Sequence, residues 1–479
     1  MISRKLRYNT HLFFRHDLSA GLTVFFVALP LCLGIAFASG APLYSGIMAG
    51  IIGGLMVSLL SGSALSVSGP AAGLTTVVAA ALLHYNNYPV FLAIVVMAGV
   101  IQILLGVFRL GGIAGYFPSA VIKGMLAAIG IILISKQLPV AMGYNHPDFW
   151  SKEFVNLISD THLFTNLRQF YSSLSLGALI ITILSLAAYY LWEQPYFDKM
   201  RFIPVPLFVV ALGILLNLAF KQLAPLFYLS GHQLVQLPGN MFASLQHPDF
   251  GPVLHDFTAL KYAVVIALLA TLETLLSVEA VDKLDPWRRT TPTNRELVAQ
   301  GIGNMACGML GALPMTAVIV RSSANIDAGA RRRWSAFVHG FLLLFAVLLV
   351  PSIINLIPLC SLAAILVVTG FKLTQPKLFR SMFKLGLSQL LPFLITIVVI
   401  LFTDLLIGVS IGLLLSVFFI VRNNYMADYD IKQETYQGIT TYTLHLHTNV
   451  TFLDKSKIKG ALNTIPQYSK LIVDGSSSR

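Results

Sequence analysis

What most limits this chain is a succession of apolar stretches, beginning at Gly21 to Ser39, each long enough or nearly long enough to cross a bilayer. Inside lipid the backbone finds no water to bond, so such stretches are read as helices whose N–H and C=O groups pair internally. The expected class is an all-α polytopic membrane protein. Composition agrees: 56% of the chain is hydrophobic and 11% charged, against roughly 25% charged in a soluble domain. The first run is too long for a signal-peptide core and lacks a cleavage site, so it stays as a first helix.

In order, the spans read Gly21 to Ser39, Leu43 to Leu60, Ser66 to His84, Pro89 to Phe108, Val121 to Met142, Leu174 to Trp192 and Pro206 to Phe220. A second set runs Leu260 to Ala280, Arg295 to Ala312, Leu313 to Ile326, Ser335 to Ile354, Ile357 to Phe371, Leu387 to Phe402 and Asp404 to Val421. In both sets the third span is broken. Ser68-Gly69-Pro70 interrupts the first and Pro314 the second, since proline removes a backbone donor and glycine a side chain. A helix resuming after Pro70 leaves the N–H groups of Ala71, Ala72 and Gly73 free, and bare backbone at that depth is tolerated only where it lines a cavity or is buried by protein. Two such breaks at corresponding places are the best sequence pointer to a transporter's binding site.

Seven spans per set put the second copy upside down relative to the first, an inverted repeat. With the N-terminus inside, the cytoplasmic loops hold most of the basic residues, among them Arg109, Lys123, Arg288, Arg289, Arg331, Arg332, Arg333 and Lys384. That asymmetry explains the net charge of +12 by orientation, not by nucleic-acid binding. The expected domains are a cytoplasmic N-terminus (1–17), a transmembrane domain (18–422, with repeats 18–220 and 260–422) and a cytoplasmic tail (423–479). In the tail, Ile439 to His447 and Lys470 to Asp474 read as strands and Lys455 to Ile465 as a helix, too little for a closed core, so a domain cut short is expected. The longest outside connections are Gly143 to Ser173 and Lys221 to Ala259.

Glu273 lies near the middle of an apolar span, where insertion scales put an acidic group at about 2.5–3.5 kcal/mol, so its default reading is functional. Ser277 shares its helix face and adds a second oxygen. The alternative is a protonated, purely structural glutamate. Arg321 either adds positive charge near the anion or snorkels to the cytoplasmic surface. Ser68, Thr75, Thr76 and Thr316 offer hydroxyls near the breaks, for substrate or for freed backbone. Cys32, Cys307 and Cys360 read as buried thiols, GxxxG at Gly111 and Gly408 as helix packing, and His445 with His447 lacks a third metal ligand. No HExxH or Walker loop is present, and nothing argues for an enzyme.

Five stretches then carry a resemblance: Leu29 to Gly54, SVSGPAAGLT (Ser66 to Thr75), LETLLSVEAVDKL (Leu272 to Leu284), NRELVAQGIGNMACGMLGALP (Asn294 to Pro314) and VIVRSSANI (Val318 to Ile326). Together they resemble the sulfate permease family, relatives of the solute carrier 26 anion transporters, and the tail resembles the start of that family's STAS domain. The resemblance implies fourteen spans in core and gate domains, moving in an elevator-like cycle, and a homodimer in the inner (plasma) membrane with both termini cytoplasmic. It implies an anion held between two helix N-termini, at Ser68, Gly69, Pro70, Ala71 and Ala72 with Met315, Thr316, Ala317 and Arg321 opposite. From the bicarbonate branch it implies sodium, or else a proton, at Glu273 and Ser277 with Thr316, and no other cofactor. The chain departs from that branch in carrying Glu273 where Asp is frequent, and Ala71 where Thr is common. The expected function is cation-coupled symport of a small inorganic anion, bicarbonate first and sulfate next. An uncoupled channel, an exchanger of the same fold and a nucleobase permease are the alternatives.

Overall fold

The computed structural model describes residues 2–112, 118–143, 175–192, 194, 204–239, 244–403, 405–425, 430–436, 439–445, 465–466 and 469–474. Helices dominate. They are α1 (Ile2–Ala38), α2 (Leu43–Ile52, continued by a π turn at Gly53–Val57), α3 (Thr75–Tyr85), α4 (Tyr88–Val107), α5 (Ser119–Ala141), α6 (Leu176–Trp192) and α7 (Val205–Leu223). Then come α8 (Phe257–Leu284), α9 (Thr293–Met309), α10 (Ile319–Asp327), α11 (Trp334–Leu349), α12 (Leu359–Leu373), α13 (Pro376–Lys384), α14 (Leu387–Phe402) and α15 (Leu405–Tyr425). Among the described residues, seven helical stretches are long and apolar enough to cross a membrane: His16–Ala38, Leu43–Leu60, Tyr88–Val107, Ser119–Ala141, Val205–Leu223, Phe257–Leu284 and Leu359–Lys384. This is a multi-pass membrane protein, and further apolar helices, among them Trp334–Leu349 and Leu387–Phe402, are shorter.

By internal packing the described residues form two units. One takes in 1–117, 126–376 and 404–406, the other 118–125, 377–403 and 407–479. In the first unit two glycine contacts bring helices to near backbone distance. A Cβ on Gly54 would lie 2.4 Å from the Gly340 Cα, joining α2 to α11, and one on Gly99 would lie 2.7 Å from the Gly301 carbonyl oxygen, joining α4 to α9. The same small-residue device serves both pairs, as close packing without a hydrophobic drive between helices requires.

The helix ends follow local chemistry. Asp256 caps α8 by accepting from the Thr258 N–H at 2.8 Å. The Tyr85 hydroxyl also donates to Asp256, and that bond with the Thr258 N–H holds the carboxyl below its usual range. Past α9, Gly311 takes φ +71, a left-handed conformation that costs glycine nothing. The segment from Lys221 to Ala259 carries 3-10 turns at Pro225–Phe227, Gly231–Gln233 and Val253–His255. It is pinned ahead of α12 by the bond from the Val235 N–H to the Ile357 carbonyl. Most of the Gly143 to Ser173 connection lies outside the described residues.

In the tail, β3 (Asp430–Tyr436) pairs antiparallel with β4 (Ile439–His445), which pairs parallel with β5 (Lys470–Asp474). Strands at Ile439 and Lys470 match the sequence reading, and β3 is an addition. Its residues Asp430, Lys432, Gln433 and Glu434 leave no clean apolar alternation to read. The helix expected at Lys455 to Ile465 falls almost wholly outside the described residues, as does His447.

Candidate functional site

The two breaks meet as a two-stranded antiparallel ladder within the first unit. β1 (Ser68–Pro70) pairs with β2 (Met315–Ala317) in the register Ser68 to Ala317, Gly69 to Thr316 and Pro70 to Met315. All six residues are buried. The ladder explains how backbone survives at this depth: each break supplies partners for the other. Flanking residues extend the pairing, since the Val318 N–H donates to the Val67 carbonyl at 2.9 Å. Leu65 and Val67, just ahead of β1, are wedged among Ala20, Val281 and Ala330, and between Val24 and Ala336, respectively.

Helix does not resume directly after the prolines, which corrects the sequence expectation. Ala71 stays extended at φ −115 and ψ 139, a 3-10 turn covers Ala72–Leu74, and α3 begins only at Thr75. In the second half, Met315, Thr316 and Ala317 are strand, and α10 starts at Ile319 with no side-chain cap. Two of their N–H groups are already committed: Met315 donates to Asn304 Oδ1 at 2.7 Å and Ala317 to Thr274 Oγ1 at 3.3 Å. The helix N–H groups that follow the second break begin at the start of α10, where Ile319 and Val320 are exposed.

Helix α8 touches both breaks. Thr274 receives the Ala317 N–H, while the Glu273 carboxyl, one residue earlier, lies against Gly73. The approach is close: a Cβ on Gly73 would sit 2.6 Å from Glu273 Oε2. Glu273 keeps some exposure and Ser277, on the same face, is 6% exposed. The Thr316 hydroxyl donates to the Ala317 carbonyl at 3.2 Å, which leaves its oxygen lone pairs for an acceptor role. Carboxylate and hydroxyl oxygens are the ligands a hard cation takes. Among the described residues no cluster of three His, Cys, Asp or Glu side chains forms a metal site.

Arg321 does not snorkel. It is 0% exposed, folded back so that Nη2 donates to the Pro70 carbonyl at 3.4 Å. Its Nε and Nη1 have no hydrogen-bond partner, and a Cβ on Gly69 would lie 2.1 Å from Nη1. Gly69 is therefore glycine because a guanidinium passes over it. Ser68 accepts from Gln300 Nε2 at 2.6 Å, Thr75 Oγ1 donates to the Ala72 carbonyl at 2.8 Å, and Thr76 Oγ1 is buried without a partner. Ala71 is 1% exposed and Ala72 somewhat more open.

Sequence reasoning missed the groups that hold the breaks in place. On α10, Ser322 Oγ accepts from the Val67 N–H at 2.9 Å and Asn325 donates to the Leu65 carbonyl at 2.9 Å. On α9, Glu296, Gln300 and Asn304 are each fully buried. Their signal was present as amide and acidic residues four apart in an apolar span, a spacing that puts all three on one helix face.

The described family model of the sulfate permease family matches residues 14–427 of the chain. The bicarbonate transporter BicA of Picosynechococcus sp. (strain ATCC 27264 / PCC 7002 / PR-6) is 28% identical over 410 residues, covering 84% of this chain and 69% of that protein. YvdB of Bacillus subtilis (strain 168), whose name assigns it as a sulfate transporter, is 28% identical over 425 residues, covering 88% of this chain and 76% of that protein. Among solved structures, the transmembrane domain of a cyanobacterial BicA aligns with a TM-score of 0.69 at 25% identity, over 84% of this chain and 97% of that one. SLC26A9 shares the fold, with a TM-score of 0.76 at 17% identity over 99% of this chain and 81% of that one. A family of membrane transporters, a match over most of the length and paired breaks at its centre lead to one assignment: this chain belongs to the sulfate permease family.

Proposed function

We propose that the protein is a secondary transporter of a small inorganic anion, coupled to sodium or to a proton, with bicarbonate as the favoured substrate and sulfate next. The observation that carries this reading is the Glu273 carboxyl lodged against Gly73 at the first break. A carboxylate beside a site for anions only opposes them unless a cation or a proton neutralises it. Each helix N-terminus contributes roughly +0.5 charge, so the start of α3 with its preceding turn and the start of α10 offer about +1 together. Arg321 adds a full charge from behind β1, and Glu273 subtracts one.

In this reading the anion binds at Ser68, Gly69, Pro70, Ala71 and Ala72, with Thr316 and the start of α10 opposite. Glu273, Ser277 and Thr316 hold the coupling ion. Fourteen crossings in inverted halves, elevator-like movement, an inner-membrane location with cytoplasmic termini, a STAS-type tail and a homodimer complete the proposal. Support comes from the BicA relatives, which are bicarbonate transporters, and from the compactness of the ladder, which suits a small anion better than a planar base.

The test is uptake of labelled bicarbonate and labelled sulfate into proteoliposomes, with and without sodium and pH gradients. Uptake that accumulates bicarbonate only under a cation gradient is expected. Equal downhill flux with no gradient dependence would assign an exchanger or channel and remove Glu273 from its role.

A further inference from the structure

One face of α9 holds three fully buried polar side chains, Glu296, Gln300 and Asn304, and together they grip both breaks. Glu296 Oε2 accepts from Ser61 Oγ and from the Gly62 N–H at 3.1 Å, in the loop leading to β1. Its other oxygen, Oε1, accepts from Gln300 Nε2 at 3.0 Å. The same Gln300 nitrogen donates to Ser68 Oγ at 2.6 Å. One turn further on, Asn304 brackets Met315 in β2, accepting from its N–H at 2.7 Å and donating to its carbonyl at 3.0 Å. Asn304 also donates to Gln102 Oε1 at 2.6 Å. Steps of about 6 Å along the helix therefore meet the loop, the first break and the second break in turn.

A primary amide nitrogen carries two hydrogens, and here one goes to Glu296 and one to Ser68. Flipping the amide would set Oε1 against the Glu296 carboxylate, so the glutamate fixes its sense. Ser68 is thereby made an acceptor toward Gln300, and its single hydroxyl proton stays free to donate elsewhere. With the amide reversed, the Ser68 proton would be spent on Gln300 and its lone pairs would face outward, which repels an anion.

We propose that Gln300, held in one sense by Glu296, is a positioning residue that turns the Ser68 hydroxyl into a hydrogen-bond donor for the transported oxyanion. This rests on the reading that Ser68 borders the anion site. The test is proteoliposome uptake of labelled bicarbonate and labelled sulfate by the full chain, with KM and maximal rate measured for Gln300→Met, Ser68→Ala and the double variant. Gln300→Met keeps the volume and removes both donors, and KM is expected to rise about tenfold while the maximal rate falls less than about twofold. Ser68→Ala should raise KM by a similar factor, and the double variant no further, because both act through one hydroxyl. If Gln300→Met fails to insert, Glu296→Gln frees the amide at constant volume and should raise KM by about threefold.

Unchanged KM with only a lowered melting temperature, or multiplying effects in the double variant, would overturn the proposal. A silent Ser68→Ala beside an Ala71→Leu that abolishes uptake also overturns it, while leaving the anion site at the breaks. Normal uptake by Ala71→Leu would remove that site, and this proposal with it.

Discussion

The two breaks look like copies but are not equals. Turning the ladder about its centre, Gly69 with Thr316, superposes Pro70 on Ala317, Gly73 on Val320, Leu74 on Arg321 and Thr75 on Ser322. Thr75 and Ser322 behave alike, each returning its hydroxyl to a backbone carbonyl at 2.8 Å. Gly73 and Val320 differ most. The glycine admits the Glu273 carboxyl into close contact, while the valine is 41% exposed. Leu74 is a buried apolar residue, and its counterpart Arg321 is a buried cation that reaches back across the ladder to Pro70. Both full charges therefore converge on the first break, and the second is held by the neutral groups of Thr274 and Asn304. Under the proposed transport reading, backbone symmetry builds the site and charge asymmetry makes one end of it the place where coupling would act.

The largest expected effect comes from making the first break resemble the second. Gly73→Val should displace the Glu273 carboxyl and cut coupled uptake by about 100-fold, the scale seen when a reacting group is misplaced by 1 Å. The reciprocal Val320→Gly should change uptake less than about threefold, given that surface positions are usually tolerant. Equal losses in both would mean that the two breaks carry equal roles. Next in size, Glu273→Gln removes charge at nearly constant volume. Anion binding should survive while its dependence on sodium or pH, expected at about 5- to 150-fold, disappears, because coupling of this kind is reciprocal. Anion titrations of the purified variant across sodium concentration and pH decide it: an unchanged cation dependence sinks the assignment.

A smaller loss is expected from Thr274→Val, which takes the acceptor from the Ala317 N–H and leaves that donor buried, at about 1–3 kcal/mol of stability. Thermal unfolding should show it, with the cation dependence kept. If the dependence is lost as well, coupling is shared between the breaks. The smallest effect concerns the far end of α8. Asp285 is buried, which alone would push its carboxyl up, but the Arg289 guanidinium and the Trp287 and Arg289 N–H groups outweigh this and hold it below the usual carboxylate range. Because the folded value is the lower one, this stabilisation is full above the ordinary Asp value and is lost as pH falls through the folded value. Unfolding midpoints of Asp285→Asn against the parent should differ at neutral pH and converge in acid, while uptake stays coupled.

How much was legible in the sequence follows from what each signal depends on. Apolar length, the basic loops and Gly-Pro at Ser68 to Pro70 are local properties. They identified helices, the paired breaks and Glu273 without reference to any partner, because lipid penalises an unpaired backbone or charge wherever it lies. The ladder register was out of reach. Proline marks both breaks in the sequence, yet Pro70 lies inside its strand and Pro314 ahead of its own, so only hydrogen bonding between halves shows that Pro70 corresponds to Ala317. The direction of Arg321 was equally hidden, since a long side chain on a known helix still has the cytoplasmic surface and the protein interior to choose between. The choice was made by Gly69, whose missing side chain leaves room for a guanidinium against the Pro70 carbonyl. The sequence by itself determined that apolar helices cross lipid and where two segments break; tertiary structure decided which groups those breaks face, because that depends on residues some 250 positions away in the chain.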